Sequence, residues 1–312
     1  MAPPITTRAL AGDVDFHRVR EFLVATYPLG PIRHHNWETR RWDGWFWYRS
    51  DAELADPAPW LSLVGLWEDR PGRLLGVMIP ESGRSELHVQ IHPDHRDLED
   101  DMYAWAEDHL GDRADDGTCR IVTWAFDADR ARRRVLERRG YRITDAFGFS
   151  RSRTLAAPIP DAPVAAGYTV RGLRPGDEED GDRWADVVRA VFAHVGPGSA
   201  QGERNFRRHS PGYDPGLHLF AEAAGGGFAA FAGLTVDESN RFAQFEPVGT
   251  HPDHLRLGLA RAVMAEGMRR LRDRGHVDLV YVGTGSAVPA NRLYRALGFG
   301  DEQVEHAWEK VW

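Results

Sequence analysis

The sequence predicts an α/β (α+β) protein made of two tandem copies of one domain, each carrying strands and helices in the same order. Two repeats and a linker support this. The tetrapeptide His-Pro-Asp-His stands at residues 92–95 and again at 251–254, an offset of 159 residues (251 − 92). Arg138-Arg-Gly-Tyr141 precedes Ala296-Leu-Gly-Phe299 by nearly the same offset, glycine to glycine, of 158 (298 − 140). A period this long is domain-sized rather than solenoidal. Between the copies, Ala156 to Gly167 holds three prolines among small residues, a composition that stiffens a chain and denies it regular structure. A chain of 312 residues accommodates two domains of ordinary size. The expected boundaries are therefore 1–155, a linker at 156–167, and 168–312.

Hydrophobic residues make up 42% of the chain, enough for packed cores. No apolar run reaches membrane-span length, and no basic segment followed by a hydrophobic one opens the chain. A cytoplasmic protein without membrane partners is expected, as monomer or homodimer. Cys119 is the only cysteine, which excludes an intramolecular disulfide and a multi-cysteine zinc site. A net charge of −8 argues against nucleic-acid binding, which needs a basic surface.

In the first copy, Ile5 to Leu10 reads as a strand. Asp13 to Ala25 reads as a helix, because Val14, Phe16, Val19, Phe22 and Leu23 recur at helical spacing. The aromatic segment Tyr27 to Tyr48 carries Trp37, Trp42, Trp45, Phe46 and Trp47. Rings of this size ordinarily fill a core; lining an acceptor cleft is the alternative. Leu61–Glu68 and Leu74–Pro80 read as strands joined through Asp69–Gly72, and Glu86–Ile91 leads into the first His-Pro-Asp-His. A helix over Leu98–Leu110, a strand over Cys119–Phe126, a helix over Ala128–Arg139 closed by Gly140, and a strand over Phe147–Leu155 complete the copy.

The second copy repeats the order. Tyr168–Leu173 is a strand, Asp180–Phe192 a helix, and Gly202–Arg208 a second helix. Leu217–Ala223 and Phe228–Val236 pair across Gly225-Gly-Gly227; without a following Lys-Ser/Thr and helix, the glycines read as a hairpin turn rather than a nucleotide loop. Phe242–Thr250 is the strand before the second His-Pro-Asp-His. A helical pattern then runs to Arg274, followed by a strand at Val280–Val282, a short helix from Pro289 ending at Gly298, and a last strand ending at Trp312.

The segment that carries chemistry is the turn through Gly258-Leu-Ala260 between the strand and the long helix. A helix start exposes unpaired N–H groups and the positive end of the helix dipole, which suit a phosphate or pyrophosphate. Gly258 and Ala260 leave room for a ligand to approach the backbone. The two His-Pro-Asp-His sequences lack the further His or Cys ligands of a zinc pattern; they read as turns, and no metal is expected.

His251-Pro-Asp-His-Leu-Arg-Leu-Gly-Leu-Ala-Arg-Ala-Val-Met264, followed by Ala290-Asn-Arg-Leu-Tyr-Arg-Ala-Leu-Gly-Phe299, resembles the GNAT superfamily of acyl-CoA-dependent N-acetyltransferases. The match covers residues 242–300. The family places Arg or Gln, two residues, Gly, one residue, then Gly or Ala; here Leu255 holds the first position and Arg256 stands beside it. The resemblance implies a mixed central sheet flanked by helices in each copy and acetyl-CoA as co-substrate. It implies a coenzyme site formed by Val248, Gly249, Thr250, Leu255, Arg256, Leu257, Gly258, Leu259, Ala260, Arg261 and Asn291, with Asn291 and the edge of Val248–Thr250 holding the pantetheine amides. It also implies Glu246 as the base that deprotonates the attacking amine, and Tyr294 beside the thioester sulfur as proton donor to the thiolate. An alkyl amine of pKa about 10 is mostly protonated near neutrality, so a base is needed.

Under the shared offsets, Gly258 falls opposite Glu99, Ala260 opposite Asp101, Glu246 opposite Leu87, Asn291 opposite Arg133 and Tyr294 opposite Leu136. Asp97, Glu99, Asp100 and Asp101 crowd that helix start, where carboxylates repel a pyrophosphate. The first copy therefore reads as degenerate. The resemblance implies an acetyl-CoA-dependent N-acetyltransferase for a small amine. A longer acyl-CoA, or a non-catalytic acyl-CoA sensor, is the alternative.

Overall fold

The computed structural model describes residues 5–30, 32–70, 72–192 and 200–312. The expected connection Asp69–Gly72 includes residue 71, which lies outside the described residues. In chain order the elements are β1 (Thr6–Ala9), α1 (Gly12–Thr26), α2 (Thr39–Trp47), α3 (Asp51–Ala55), α4 (Ala58–Leu61), β2 (Gly65–Glu68), β3 (Leu74–Ser82), β4 (Glu86–Ile91), α5 (Glu99–His109), β5 (Asp112–Arg113), β6 (Cys119–Phe126), α6 (Arg130–Arg138) and β7 (Arg142–Thr154). After the linker follow β8 (Tyr168–Gly172), α7 (Glu178–Phe192), α8 (Ala200–His209), β9 (His218–Ala223), β10 (Phe228–Asp237), β11 (Phe242–Thr250), α9 (Leu259–Arg274), β12 (Leu279–Gly285), α10 (Val288–Ala296) and β13 (Gly300–Val311).

Two differences from the sequence reading have local causes. Leu61 ends a short helix instead of opening a strand, because Pro57 caps α4 and Pro59 lies in its first turn, where the missing N–H costs no bond. The aromatic segment contains α2, and Trp37, Trp42 and Phe46 are buried. Trp42 stacks on Phe16 with ring centroids 5.8 Å apart and donates its indole N–H to the Phe16 carbonyl at 3.0 Å. These rings serve packing.

The chain divides into two compact units. Unit 1 comprises residues 1–42, 55–149 and 303–312, and unit 2 comprises 43–54 and 150–302. A chain-order reading, which ends the first copy at 155 and opens the second at 168, does not include this exchange of segments.

Unit 1 is a mixed sheet in the order β1-β2-β3-β4-β6-β13. Its β4–β6 pair is parallel, and the pairs β1–β2, β2–β3, β3–β4 and β6–β13 are antiparallel. Leu87, Met102, Tyr103, Ile121, Leu136 and Trp308 contribute to its core. Unit 2 is a mixed sheet too, with residues 150–154 of β7 beside β12, followed by β11, β10, β9 and β8. There β11–β12 is the parallel pair, and β8–β9, β9–β10 and β10–β11 are antiparallel. Leu219, Leu234, Phe245, Val263, Met268 and Val280 lie in its core, beneath α9.

Each unit repeats one ion-pair device that the sequence reading missed. Arg8 of β1 reaches Asp15 of α1 at 2.5 Å and Glu68 of β2 at 2.9 Å. Arg171 of β8 reaches Asp180 of α7 at 2.6 Å and Glu222 of β9 at 2.8 Å. In both, the helix carboxylate also accepts a backbone N–H, from Ala11 or Arg174, so the first helix is tied to the first strand in the same way twice.

Candidate active site

The parallel pair of unit 2 is brief. β11 pairs with β12 only at Phe242–Gln244 against Leu279–Tyr281. Beyond Gln244 the strands part, so among the described residues the edge of β11 from Glu246 to Thr250 has no strand on that side. The direction of its groups follows from the opposite edge. His251 N–H donates to the Ala229 carbonyl at 2.8 Å, which makes Thr250–Ala230 a non-hydrogen-bonded pair. The N–H and C=O of Thr250, and by the two-residue period those of Val248, point into the opening. Gly249, between them, pairs with Phe231 of β10.

A bulge starts this opening. The β10–β11 register shifts so that Glu246 and Pro247 lie opposite Gly233 alone. A Cβ on Gly233 would come within 2.7 Å of the Glu246 carbonyl oxygen, so the close approach requires glycine there. Glu246 is half-buried and accepts a hydrogen bond from Gln244 Nε2 at 2.6 Å. Gln244 sits two residues earlier on the same strand face.

After Thr250 the second His-Pro-Asp-His folds as a 3-10 turn. The His251 ring accepts the Asp253 N–H at 3.2 Å, and His254 Nδ1 bonds the Tyr168 hydroxyl at 2.7 Å. Leu255 is then extended and Arg256 has φ +64°. Gly258 caps α9 with φ +73° and nothing within 4 Å of a built Cβ. Such a φ costs an L-residue roughly 1–2 kcal/mol, so Gly258 is set by backbone conformation, facing open space. The first bond of α9 runs from Ala262 N–H to the Gly258 carbonyl. Among the described residues, the N–H groups of Leu257, Gly258, Leu259, Ala260 and Arg261 have no protein partner. The Nε of Arg261 is buried without one as well. The side chains of Leu255 and Leu257 are exposed. This loop can hold an anion by main-chain amides at the positive end of a helix.

The third component is α10. Tyr294 is buried on it, and among the described residues its hydroxyl makes no hydrogen bond. Burial, reinforced by the negative charge of Glu246 and opposed by the positive charge of Arg151, pushes its phenol up to about 12. The negative charge of Glu246 is thus felt at the Tyr294 hydroxyl. Asn291 is differently employed. Its Nδ2 donates to the Gly285 and Ala287 carbonyls at 3.0 and 2.8 Å, and its Oδ1 accepts from Arg151 at 2.5 Å. Its side chain is committed to holding the loop between β12 and α10.

Unit 1 shows the same frame with the opening filled. The first His-Pro-Asp-His makes the same turn, with the His92 ring accepting the Asp94 N–H at 3.2 Å, and His92 N–H donates to Leu75 O at 2.8 Å. The residues opposite Val248 and Thr250 are Val89 and Ile91. Here Asn36 bonds both the N–H and C=O of Ile91, at 2.9 and 3.0 Å, and Arg132 bonds the Val89 carbonyl at 3.1 Å. No left-handed residue precedes α5. The chain passes through a 3-10 turn, and Glu99 N–H donates to the Arg96 carbonyl.

The expectation for Glu99 needs correction. Its carboxylate does not stand free at the helix start to repel an anion; it is buried and paired with Arg96 at 2.5 Å and Arg132 at 3.3 Å. Arg96 and His35 also bind Asp129, each at 2.8 Å. Burial alone would raise the Asp129 carboxyl, but the His35 bond and the charges of Arg132 and Arg96 hold it far below the usual range. Asn36 and Arg132 thus occupy the β4 edge groups whose counterparts on β11 point into the opening.

Among the described residues, no helix is long and apolar enough to cross a membrane.

Residues 189–299 match the family model described as acetyltransferase (GNAT) family. The chain is 28% identical to a mycothiol acetyltransferase of Pseudarthrobacter chlorophenolicus, over 79% of this chain and 74% of that one. It is 33% identical to a mycothiol acetyltransferase of Salinispora arenicola, a match that spans about half of each, 47% and 49%. A tandem GNAT protein from the clavulanic acid biosynthesis pathway has the same fold over 99% of this chain and 98% of its own, with a TM-score of 0.64 at 17% identity. Residues 189–299 of the second unit, which hold the parted parallel strands and the amide-lined loop, thus match the GNAT acetyltransferase family, and the whole chain shares the fold of a tandem GNAT protein.

Proposed function

We propose that unit 2 transfers the acetyl group of acetyl-CoA to the amine of a small molecule by direct attack on the thioester, and that unit 1 is a degenerate copy without a coenzyme site. The observation that carries this reading is the contrast between the units: free N–H groups and an open β11 edge in one, and the equivalent groups taken by Asn36, Arg132 and a continuous helix start in the other.

In this reading the diphosphate lies on the N–H groups of residues 257–261, with Arg256 and Arg261 nearby as cations. Leu255 offers no side-chain hydrogen bond there, so main-chain amides dominate. The pantetheine amides pair with Val248 and Thr250 as an added strand would. Asn291 contributes by shaping the loop before α10. Glu246, oriented by Gln244, accepts the proton of the incoming ammonium, directly or through water. The neutral amine attacks the thioester carbonyl, the C–S bond breaks, and coenzyme A leaves as its thiolate.

Tyr294 serves the departing sulfur. Its phenol, at about 12, stays protonated throughout the neutral range. Full transfer of its proton to an alkyl thiolate is uphill, because a free thiol titrates at about 8.5 and the buried phenol well above that. Tyr294 therefore acts by donating a hydrogen bond to the sulfur as charge develops. The net proton comes from the amine.

The test is a panel of primary amines with acetyl-CoA and detection of free thiol. The relatives' name makes mycothiol-type acceptors the first to try, with succinyl-CoA as the alternative donor. Stoichiometric thiol release and N-acetyl product with at least one amine is expected. Tight coenzyme binding with no thiol release across the panel would favour a sensor instead.

A further inference from the structure

We propose that Arg151 is a positioning residue for Tyr294, supplied to unit 2 by the strand that precedes the linker. The inference rests on the reading of Tyr294 given above. Sequence order places Arg151 in the first copy, 143 residues (294 − 151) from the tyrosine, yet in the fold it belongs to unit 2.

The geometry is a two-point clasp. Arg151 is 1% exposed. It donates to Asn291 Oδ1 at 2.5 Å, and through Nε and a terminal nitrogen to Glu302 Oε2 at 2.9 and 2.5 Å. Asn291 in turn holds the carbonyls of Gly285 and Ala287, so the guanidinium fixes both the start of α10 and the loop that leads into it. Two residues along β7, Arg153 donates to the Leu297 carbonyl at the far end of α10 and to the Pro158 carbonyl of the linker at 3.1 Å. Residues 151 and 153 share one side of a strand. Asn291, Tyr294 and Leu297 recur every three residues along one face of the helix. The two arginines thus grip α10 on either side of Tyr294.

Arginine suits this task because its planar fork satisfies Asn291 and Glu302 at once, which a lysine ammonium on a flexible stem does not reproduce. Its charge also opposes the rise of the Tyr294 phenol that burial and Glu246 produce. Arg151 reaches no reacting atom in this arrangement. It acts by fixing where the hydroxyl of Tyr294 points.

The experiment compares Arg151→Lys, Tyr294→Phe and the double variant in the full chain, with kcat, the KM for acetyl-CoA and Tm measured for each. Arg151→Lys is expected to lower kcat about 10- to 100-fold, as small misplacements of catalytic groups do, with KM changed less than about twofold. In the Tyr294→Phe background the same substitution is expected to cost less than about twofold more, because the group it orients is gone. Equal losses in both backgrounds, or wild-type kcat for Arg151→Lys, overturn the proposal while leaving the role of Tyr294 intact. Wild-type kcat for Tyr294→Phe alone refutes that role, and this inference with it. Should Arg151→Lys not fold, Glu302→Gln removes the charge from one anchor of the fork and keeps Arg151. It is expected to lower kcat about threefold to tenfold, again only where Tyr294 is present, and an additive loss would overturn the inference.

Discussion

Gly258→Glu is expected to weaken acetyl-CoA binding by about 100-fold or more, measured by calorimetry. In the proposed site main-chain amides would hold a diphosphate, and a Cβ at 258 points into open space beside them. A carboxylate there would stand near ligand phosphates. Two like charges about 4 Å apart at an effective dielectric constant near 20 repel by ~4 kcal/mol before salt screening; about 3 kcal/mol corresponds to a 100-fold change in Kd. Gly258→Ala separates this term from backbone strain. It bears only the cost of holding alanine at φ +73°, ~1–2 kcal/mol, and is expected to shift Kd less than about tenfold. Equal affinity of Gly258→Glu and wild type would contradict the diphosphate placement.

Tyr294→Phe is expected to lower kcat about 10- to 100-fold while the Kd for acetyl-CoA stays within about twofold. One directed hydrogen bond to developing charge in a water-poor site is of that order, and the substitution removes only an oxygen. Among the described residues the Tyr294 hydroxyl has no partner, so its loss orphans no buried group and Tm should hardly move. A pre-steady-state measurement should place the loss in thiol release rather than in coenzyme binding. Unchanged turnover would remove the tyrosine from the chemistry and leave Glu246 as the only assigned acid–base group.

Much of the frame was legible in the sequence because it rests on local signals. The two His-Pro-Asp-His turns, the strands before them and the helices after them follow from proline, histidine caps and apolar periodicity, and all occur in both units. The turn before α9 was legible at Gly258, where a left-handed residue opens a helix. What local reading missed depends on contacts distant in the chain. Nothing near Arg151 distinguishes it from the other arginines of a chain in which arginine supplies nearly all the positive charge; its burial against Asn291 appears only when β7 joins unit 2. The filling of unit 1 by Asn36 and Arg132 was equally invisible, since one precedes β4 by some fifty residues and the other follows it by some forty. Glu99 shows the opposite error. A carboxylate at a helix start reads as exposed, but buried Arg132 and half-buried Arg96 neutralise it. Gln244 could have been found, because strand alternation places it on the same face as Glu246.

Calorimetric titration of the full chain with acetyl-CoA tests the asymmetry of the two units most directly. One coenzyme per chain should bind in the wild type, and that single transition should be lost or pushed beyond detection in Gly258→Glu. Two sites per chain, or one site whose affinity ignores residue 258, would contradict the assignment of coenzyme binding to the second unit alone.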